Sequence, residues 1–163
     1  MSSDPVRQIV TPVRLEYQIH AGRQRNRFLQ ALLEKKILGG RCPESKKVYV
    51  PPQGSSPTSG LPTEEIVEVA HSGTVTTFCI INIPFEGQRL EPPYVGAAVL
   101  LDGADMPIFH LVGGVDPGEV RMGMRVRAHW VADDALAPTL ESIRYFEPTG
   151  EPDADFDTYA EHL

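Results

Sequence analysis

The first regular pattern of apolar positions along the chain lies in residues 22–38. The side chains that recur there with helical spacing are Phe28, Leu29, Leu32 and Leu33. Two glycines follow directly at positions 39 and 40, and glycine is the common residue just past a helix C-terminus. The pattern therefore predicts one helix over residues 22–38 that ends at the glycine pair.

From Ser72 onward the pattern changes to that of β-strands. Five runs are rich in β-branched, aromatic or alternating residues: 73–83, 94–101, 107–112, 123–130 and 140–146. In the fourth run, apolar residues alternate with Arg125, Arg127 and His129, as in a strand with one buried face. Five strands without crossover helices favour a small Greek-key barrel, with a short helix or loop near residues 117–120.

The segment between the helix and the strands, residues 41–60, has the spacing of a zinc ribbon. A ribbon of this kind binds its metal with two C-x-x-C turns, and the corresponding positions here are Cys42, Ser45, Ser56 and Ser59. A thiol ionises near pH ~8.5 and lower beside a metal, whereas a serine hydroxyl stays neutral and binds zinc weakly. We therefore expect a ribbon remnant, with a short strand at 46–50, that holds neither zinc nor another cofactor.

Loss of the metal removes a large contribution to the order of this segment. Structural zinc contributes about 10 kcal/mol or more to small zinc modules. Three serine hydrogen bonds of about 1 kcal/mol each do not replace it. The sequence therefore predicts that residues 41–60 depend on packing against the helix or against a partner protein.

The amino-acid composition indicates the class of protein and the compartment in which it is expected. Of the 163 residues, 41% are apolar and 23% are charged, as in ordinary globular domains. No run approaches the ~18 apolar residues of a membrane span, and residues 1–10 lack the apolar core of a signal peptide. Two cysteines do not make a disulfide framework. We therefore expect a cytoplasmic protein with no membrane partner.

Charge is distributed unevenly along the chain. Residues 1–60 contain ten Arg or Lys and four Asp or Glu, whereas residues 61–163 contain five Arg and eighteen Asp or Glu. A nucleic-acid-binding domain normally carries a basic surface over its binding face. The acidic C-terminal part therefore argues against a nucleic acid partner, and binding of single-stranded nucleic acid remains a minor alternative.

The residue types that most often catalyse reactions are scattered. The chain has five histidines and two cysteines: His20, His71, His110, His129, His162, Cys42 and Cys79. No two of them have the spacing of a nucleophile–base pair or a metal site. Cys79 lies in an apolar run, so we expect a buried, inert thiol there, and we expect His110 to be a hydrogen-bonded structural residue. The sequence thus predicts no catalytic residue.

The last segment, residues 148–163, is acidic and contains no Lys or Arg. Such a composition is typical of an exposed arm. Phe156, Tyr159 and Leu163 are nevertheless large and apolar, which a solvated arm does not need. We therefore predict that these three side chains dock the tail on a neighbouring surface, with a partner subunit as the candidate.

A helix, a degenerate ribbon and a five-stranded barrel follow one another in a specific order. The matching stretches are FLQAL at 28–32, GGRCP at 39–43, VYVPP at 48–52, GTVTTF at 73–78 and MGMRV at 122–126. Together they resemble the zinc-ribbon/OB-fold family of acyl-CoA-associated proteins over residues 20–147. The resemblance implies a mainly β fold with four parts: N-terminal arm and helix (1–40), rubredoxin-like zinc-ribbon remnant (41–70), five-stranded OB-fold barrel (71–147) and acidic tail (148–163).

The resemblance also implies a function. Members of this family commonly accompany thiolases of the sterol-carrier-protein type, or related acyl-CoA aldolases that shorten steroid side chains. It thus implies a non-catalytic accessory subunit that stabilises a thiolase-like partner, in steroid or fatty-acid side-chain degradation, with two copies of each chain. Its candidates for contact with CoA phosphates or with the partner are Arg23, Arg25, Arg27, Arg41, Lys46 and Lys47. A free-standing acyl-CoA-binding module is the alternative.

Overall fold

The computed structural model describes residues 15–163, and its first regular element is a helix, α1, at Gly22–Leu32. The prediction of a helix is confirmed, but its predicted end at residue 38 is wrong. Lys35 turns the chain with a positive φ of 54°, and Ile37–Arg41 forms a strand, β1. Gly39 and Gly40 therefore lie inside a strand and do not end the helix. A Cβ on Gly39 would stand 2.5 Å from Val48 Cγ1, so close strand packing explains this glycine.

A three-stranded antiparallel sheet forms the ribbon. Its strands are β1, β2 at Val48–Tyr49 and β3 at Glu65–Val69, in the order β2-β1-β3. The side chain of Asp105, from the barrel, accepts a hydrogen bond from the amide of Val48 at 2.7 Å, and the amide of Asp105 donates to the Val48 carbonyl at 2.8 Å. These two hydrogen bonds join the ribbon directly to the barrel. The ribbon sheet itself begins at Ile37, before the predicted boundary at residue 41.

The predicted five-stranded barrel is confirmed. Its strands are β4 at Ser72–Ile81, β5 at Tyr94–Leu101, β6 at Ile108–Val112, β7 at Arg125–Trp130 and β8 at Ile143–Pro148. They close in the order β4-β5-β6-β8-β7, with β6 and β8 parallel and the other pairs antiparallel. A short 3-10 helix at Pro117–Glu119 precedes β7, as the sequence predicts.

One continuous core joins the three parts of the fold. Phe28 and Leu32 of α1 are fully buried and belong to the same apolar cluster as Ile37 and Val50 of the ribbon and Phe146 of the barrel. Burial of a large apolar side chain contributes about 1.5–3 kcal/mol. The helix therefore supplies packing that helps to hold the ribbon without a metal.

The acidic tail lies on the chain's own barrel. Arg121 binds both carboxylate oxygens of Asp153, at 2.6 and 2.8 Å, and the amide of Ala154 donates to the Gly123 carbonyl at 2.8 Å. Tyr159 is 5% exposed, whereas the Phe156 and Leu163 side chains stay exposed. Within residues 15–163, no helix is both long and apolar enough to cross a membrane.

Candidate functional site

Two turns of the same hydrogen-bonding pattern face each other at the tip of the ribbon. In the first, the Cys42 amide donates to the Lys47 carbonyl and the Lys46 amide donates to the Cys42 carbonyl, at 2.8 and 3.1 Å. The second turn repeats this pattern fourteen residues later. There the Ser56 amide donates to the Leu61 carbonyl at 2.8 Å, and the Gly60 amide donates to the Ser56 carbonyl at 2.9 Å. The fifth residue of each turn has positive φ. The two turns at the predicted ligand positions thus share one backbone geometry.

The four positions that correspond to zinc ligands converge on one sulfur. Cys42 Sγ lies 3.5 Å from Ser59 Oγ, and the amide of Ser45 donates to it at 3.4 Å. The thiol is fully buried and Ser56 is 2% exposed. Hydrogen bonds from the Ser45 side chain, then from Ser56 and Ser59, outweigh the effect of burial and lower the pKa of the Cys42 thiol to about 6. These hydrogen bonds therefore favour the thiolate form of Cys42.

The serine hydroxyls also cap the turns. Ser56 Oγ accepts from the amides of Thr58 and Ser59, both at 3.4 Å, and Ser45 Oγ accepts from the amide of Lys47 at 3.4 Å. Tyr49 adds a contact between its hydroxyl and Thr58 Oγ1 at 3.2 Å. These bonds use the same oxygens that a metal would need.

The residues present do not fit a zinc ion. One thiolate and three neutral hydroxyls lack the soft, charged donor set of a structural zinc site. In the part of the chain that the structure describes, no cluster of three or more His, Cys, Asp or Glu could hold a metal. The ribbon frame is therefore best understood as a structural element held by hydrogen bonds and packing.

The six basic candidates do not form one cluster. Arg23 and Arg27 line a surface cavity of about 400 Å³ together with Gln24, Gly54, Pro62 and the carboxylate of Glu64. Of the other four, Arg41 pairs with Glu65 at 3.0 Å and donates to the Lys46 carbonyl at 3.2 Å, while Lys46 Nζ donates to the Pro43 carbonyl at 2.7 Å. Arg25 and Lys47 are exposed. Within residues 15–163, Arg23, Arg25 and Lys47 have no acidic partner. Only Arg23 and Arg27 thus share a concave surface.

The histidines occupy separate structural positions. His110 Nε2 lies 3.2 Å from the Leu140 carbonyl and its Nδ1 accepts from the Leu111 amide at 2.8 Å, while burial lowers its pKa. His129 stacks on Tyr145, and His162 Nδ1 lies 3.1 Å from the Asp105 carbonyl. His71 contacts the Trp130 indole, and His20 is exposed. This geometry assembles no nucleophile–base pair among the described residues.

The expectation of a buried Cys79 thiol is wrong, because this cysteine is exposed. A β-bulge between Val75 and Thr77 shifts the alternation of β4. Phe78 then points to the same side as the buried Ala97, and Cys79 pairs with Gly96 on the other side. Both sides of β4 carry apolar or Thr side chains, so the sequence does not distinguish them.

Cys79 belongs to a surface that the local sequence pattern did not predict. We call outer face the solvent side of β4, β5 and β6, which consists of Thr77, Cys79, Ile81, Tyr94, Gly96, Ala98, Phe109 and Leu111. None of these eight residues is charged. Phe109 is 67% exposed at its centre. The signal available in the sequence was the absence of any charge from 73–81 and 94–101.

Comparisons with known proteins agree with this architecture. Residues 66–131 match the model of the ChsH2 C-terminal OB-fold domain. A curated relative from Thermomonospora curvata, the probable enoyl-CoA hydratase alpha subunit, is 28% identical over 107 residues, which is 66% of this chain. The alignment spans only 33% of that relative's length.

Two solved structures have the same fold. The Ltp2-ChsH2(DUF35) aldolase superposes with a TM-score of 0.62 at 24% identity, covering 80% of this chain and 98% of that chain. A DUF35 protein of unknown function from Sulfolobus solfataricus superposes with a TM-score of 0.59 at 19% identity, covering 78% and 86%. Residues 66–131 thus resemble the ChsH2 C-terminal OB-fold domain, and the chain has the fold of these two solved DUF35 proteins.

Proposed function

We propose that this chain is a non-catalytic accessory subunit of a thiolase or a thiolase-like acyl-CoA aldolase of the sterol-carrier-protein type. In this role it stabilises the partner and shapes its CoA site, in the breakdown of steroid or fatty-acid side chains. The observation that carries the proposal is the match of residues 66–131 to the ChsH2 C-terminal OB-fold domain. ChsH2 is named together with Ltp2 in a solved aldolase, and the curated relative is named as a subunit of an acyl-CoA enzyme.

The chemistry of the described residues supports an accessory role. Residues 15–163 bring together neither a nucleophile with a base nor a set of metal ligands. The thiol of Cys42, whose pKa hydrogen bonds lower, is fully buried within the ribbon, where a substrate carbonyl has no access. The partner subunit would therefore supply the catalytic residues, while this chain supplies a surface that binds the partner.

Co-purification tests the proposal. A tagged copy of the full chain is used to recover bound proteins from a native extract of its source organism, and mass spectrometry identifies them. We expect a thiolase-like protein in stoichiometric amount, and native mass spectrometry of the complex should give two copies of each chain. Recovery of only unrelated proteins at wild-type expression levels would refute the proposal.

A second candidate is direct binding of acyl-CoA by this chain alone. It is favoured by the cavity beside α1, where Arg23 and Arg27 lie one helical turn apart and share the lining with one carboxylate, Glu64. Guanidinium groups bind phosphate oxygens in pairs. Calorimetry with CoA should then show heat that the Arg23→Ala/Arg27→Ala variant abolishes and that Arg25→Ala retains. No heat at millimolar CoA dismisses this candidate.

A further inference from the structure

The outer face differs from the rest of the barrel surface in its lack of charge. A barrel strand that faces water normally alternates apolar residues inside with polar ones outside. β7 follows this rule, since Arg125, Arg127 and His129 alternate with the buried Val126. The eight outer-face positions on β4, β5 and β6 are instead Thr, Cys, Ile, Tyr, Gly, Ala, Phe and Leu. Such a surface is typical of one that another molecule covers.

The centre of the outer face is flat and aromatic. A Cβ at Gly96 would stand 3.0 Å from Phe109 Cζ, so the ring lies directly over the glycine backbone. At the end of the β4–β5 hairpin, Ile83 and Phe85 are 79% and 65% exposed. Together with Phe109 they expose on the order of 400 Å² of apolar surface. That is about half of the ~800 Å² that each partner contributes to a standard interface.

The charges around the hairpin indicate what covers it. Glu86, Glu91 and Glu141 are exposed near the hairpin, and Arg89 lies 3.6 Å from Glu141. The chain as a whole carries a net charge of −7. Two copies meeting through this face would place acidic rims against each other, which costs free energy. The complementary surface is an apolar patch with a basic rim on a different protein.

We propose that the outer face, centred on Phe109, is the surface on which the acyl-CoA enzyme subunit docks. This inference rests on the proposed function, because it names that subunit as the occupant. The partner contributes an uncharged apolar patch over Phe109, Gly96 and Cys79, since a charged group buried there would have no counter-charge. Basic side chains of the partner meet the acidic rim of the hairpin.

Two variants place a charge on the outer face without touching the core. Phe109→Asp removes an exposed ring, and Thr77→Lys adds a charge at another exposed position. Met122→Glu is the matched control, because Met122 is also exposed but lies outside the outer face, before β7. Each full-length variant is co-expressed with the thiolase-like subunit identified by co-purification, and its thermal unfolding is compared with that of wild type.

We expect both outer-face variants to unfold at the wild-type temperature and to bind the partner about 30-fold or more weakly, as for a central interface residue. Met122→Glu should bind as wild type does. A bulky maleimide on Cys79 should also block binding, and Cys79→Ser should remove that effect. Retention of the partner by both variants overturns the docking proposal and leaves the accessory role standing.

Two other outcomes also count against the proposal. A wild-type dimer in sedimentation that Phe109→Asp converts to a monomer would assign the face to a second copy of this chain. If the wild-type chain recovers no acyl-CoA enzyme, the proposed function itself fails, and the docking assignment fails with it.

Discussion

Restoring three thiolates to the ribbon should convert it into a zinc site. The change is Ser45→Cys/Ser56→Cys/Ser59→Cys. Four sulfurs at ~2.3 Å from a tetrahedral zinc lie about 3.8 Å from one another. The present distance between Cys42 Sγ and Ser59 Oγ is 3.5 Å, so the two turns need to move apart by only a few tenths of an ångström. At this pair of positions, the backbone is therefore close to the spacing that a zinc site requires.

The expected magnitude follows from two opposing effects. Without metal, the variant loses the hydroxyl caps that Ser45, Ser56 and Ser59 provide, at about 1 kcal/mol each. A zinc site at the weak end of the known range, about 10 kcal/mol, has a Kd of about 50 nM. At about 5 µM free zinc it would add roughly 2.7 kcal/mol. For a chain of this size that raises the Tm by about 5–11 °C relative to the apo variant.

The assay combines elemental analysis, cobalt substitution and thermal unfolding with and without zinc. Wild type should contain no stoichiometric zinc, and its Tm should not change with the metal. The control is the same triple variant with Cys42→Ser, which has three thiolates and should bind far more weakly. A triple variant that takes up no zinc at micromolar concentration would refute the view that the turns keep a metal-binding frame.

Three further predictions concern stability. The Cys42 thiol has its pKa lowered to about 6 by hydroxyl hydrogen bonds, so its contribution is complete above the unfolded-state pKa of ~8.5 and is lost as the pH falls through 6. The Tm difference between wild type and Cys42→Ala should therefore shrink from pH 9 to pH 5, and a difference independent of pH would contradict the thiolate. Gly39→Ala should destabilise the fold by about 1–3 kcal/mol in urea unfolding, because the new Cβ overpacks against Val48, while Gly54→Ala, with open space around it, should not. Tyr159→Ala should release the tail, seen as faster amide exchange and proteolysis beyond residue 150, and unchanged protection there would show that Tyr159 does not anchor it.

Local patterns predicted the strands well and the helix end poorly. The run 94–101 coincides with β5. This strand pairs with β4 on one side and β6 on the other, so its apolar residues mark both of its ends. Ile37 and Leu38 continue the apolar spacing of α1, so the sequence extends the helix through them. Pairing of β1 with β3 along five residues outweighs that weak preference. Long-range pairing is not visible in a local window.

For the candidate sites too, the sequence predicted one feature and missed another. The sequence was enough to identify a ribbon-like spacing without a zinc donor set, at Cys42, Ser45, Ser56 and Ser59. Zinc binding depends on whether the ligand atom is a thiolate sulfur or a hydroxyl oxygen, and the residue type alone gives that atom. The exposure of Cys79 was not predictable. It depends on one bulged residue in β4, which reverses the side on which every later side chain of that strand lies.

The sequence by itself determined the order of helix, ribbon and barrel, the absence of a zinc donor set and the acidic C-terminal part. These properties follow from residue types and short spacings. Only the tertiary structure decided that the two ribbon turns meet around the Cys42 sulfur, that Tyr159 packs on the chain's own barrel, and that eight uncharged residues share the outer face. Each of these depends on which strands pair and in which register, and that is set by contacts between residues far apart in the chain.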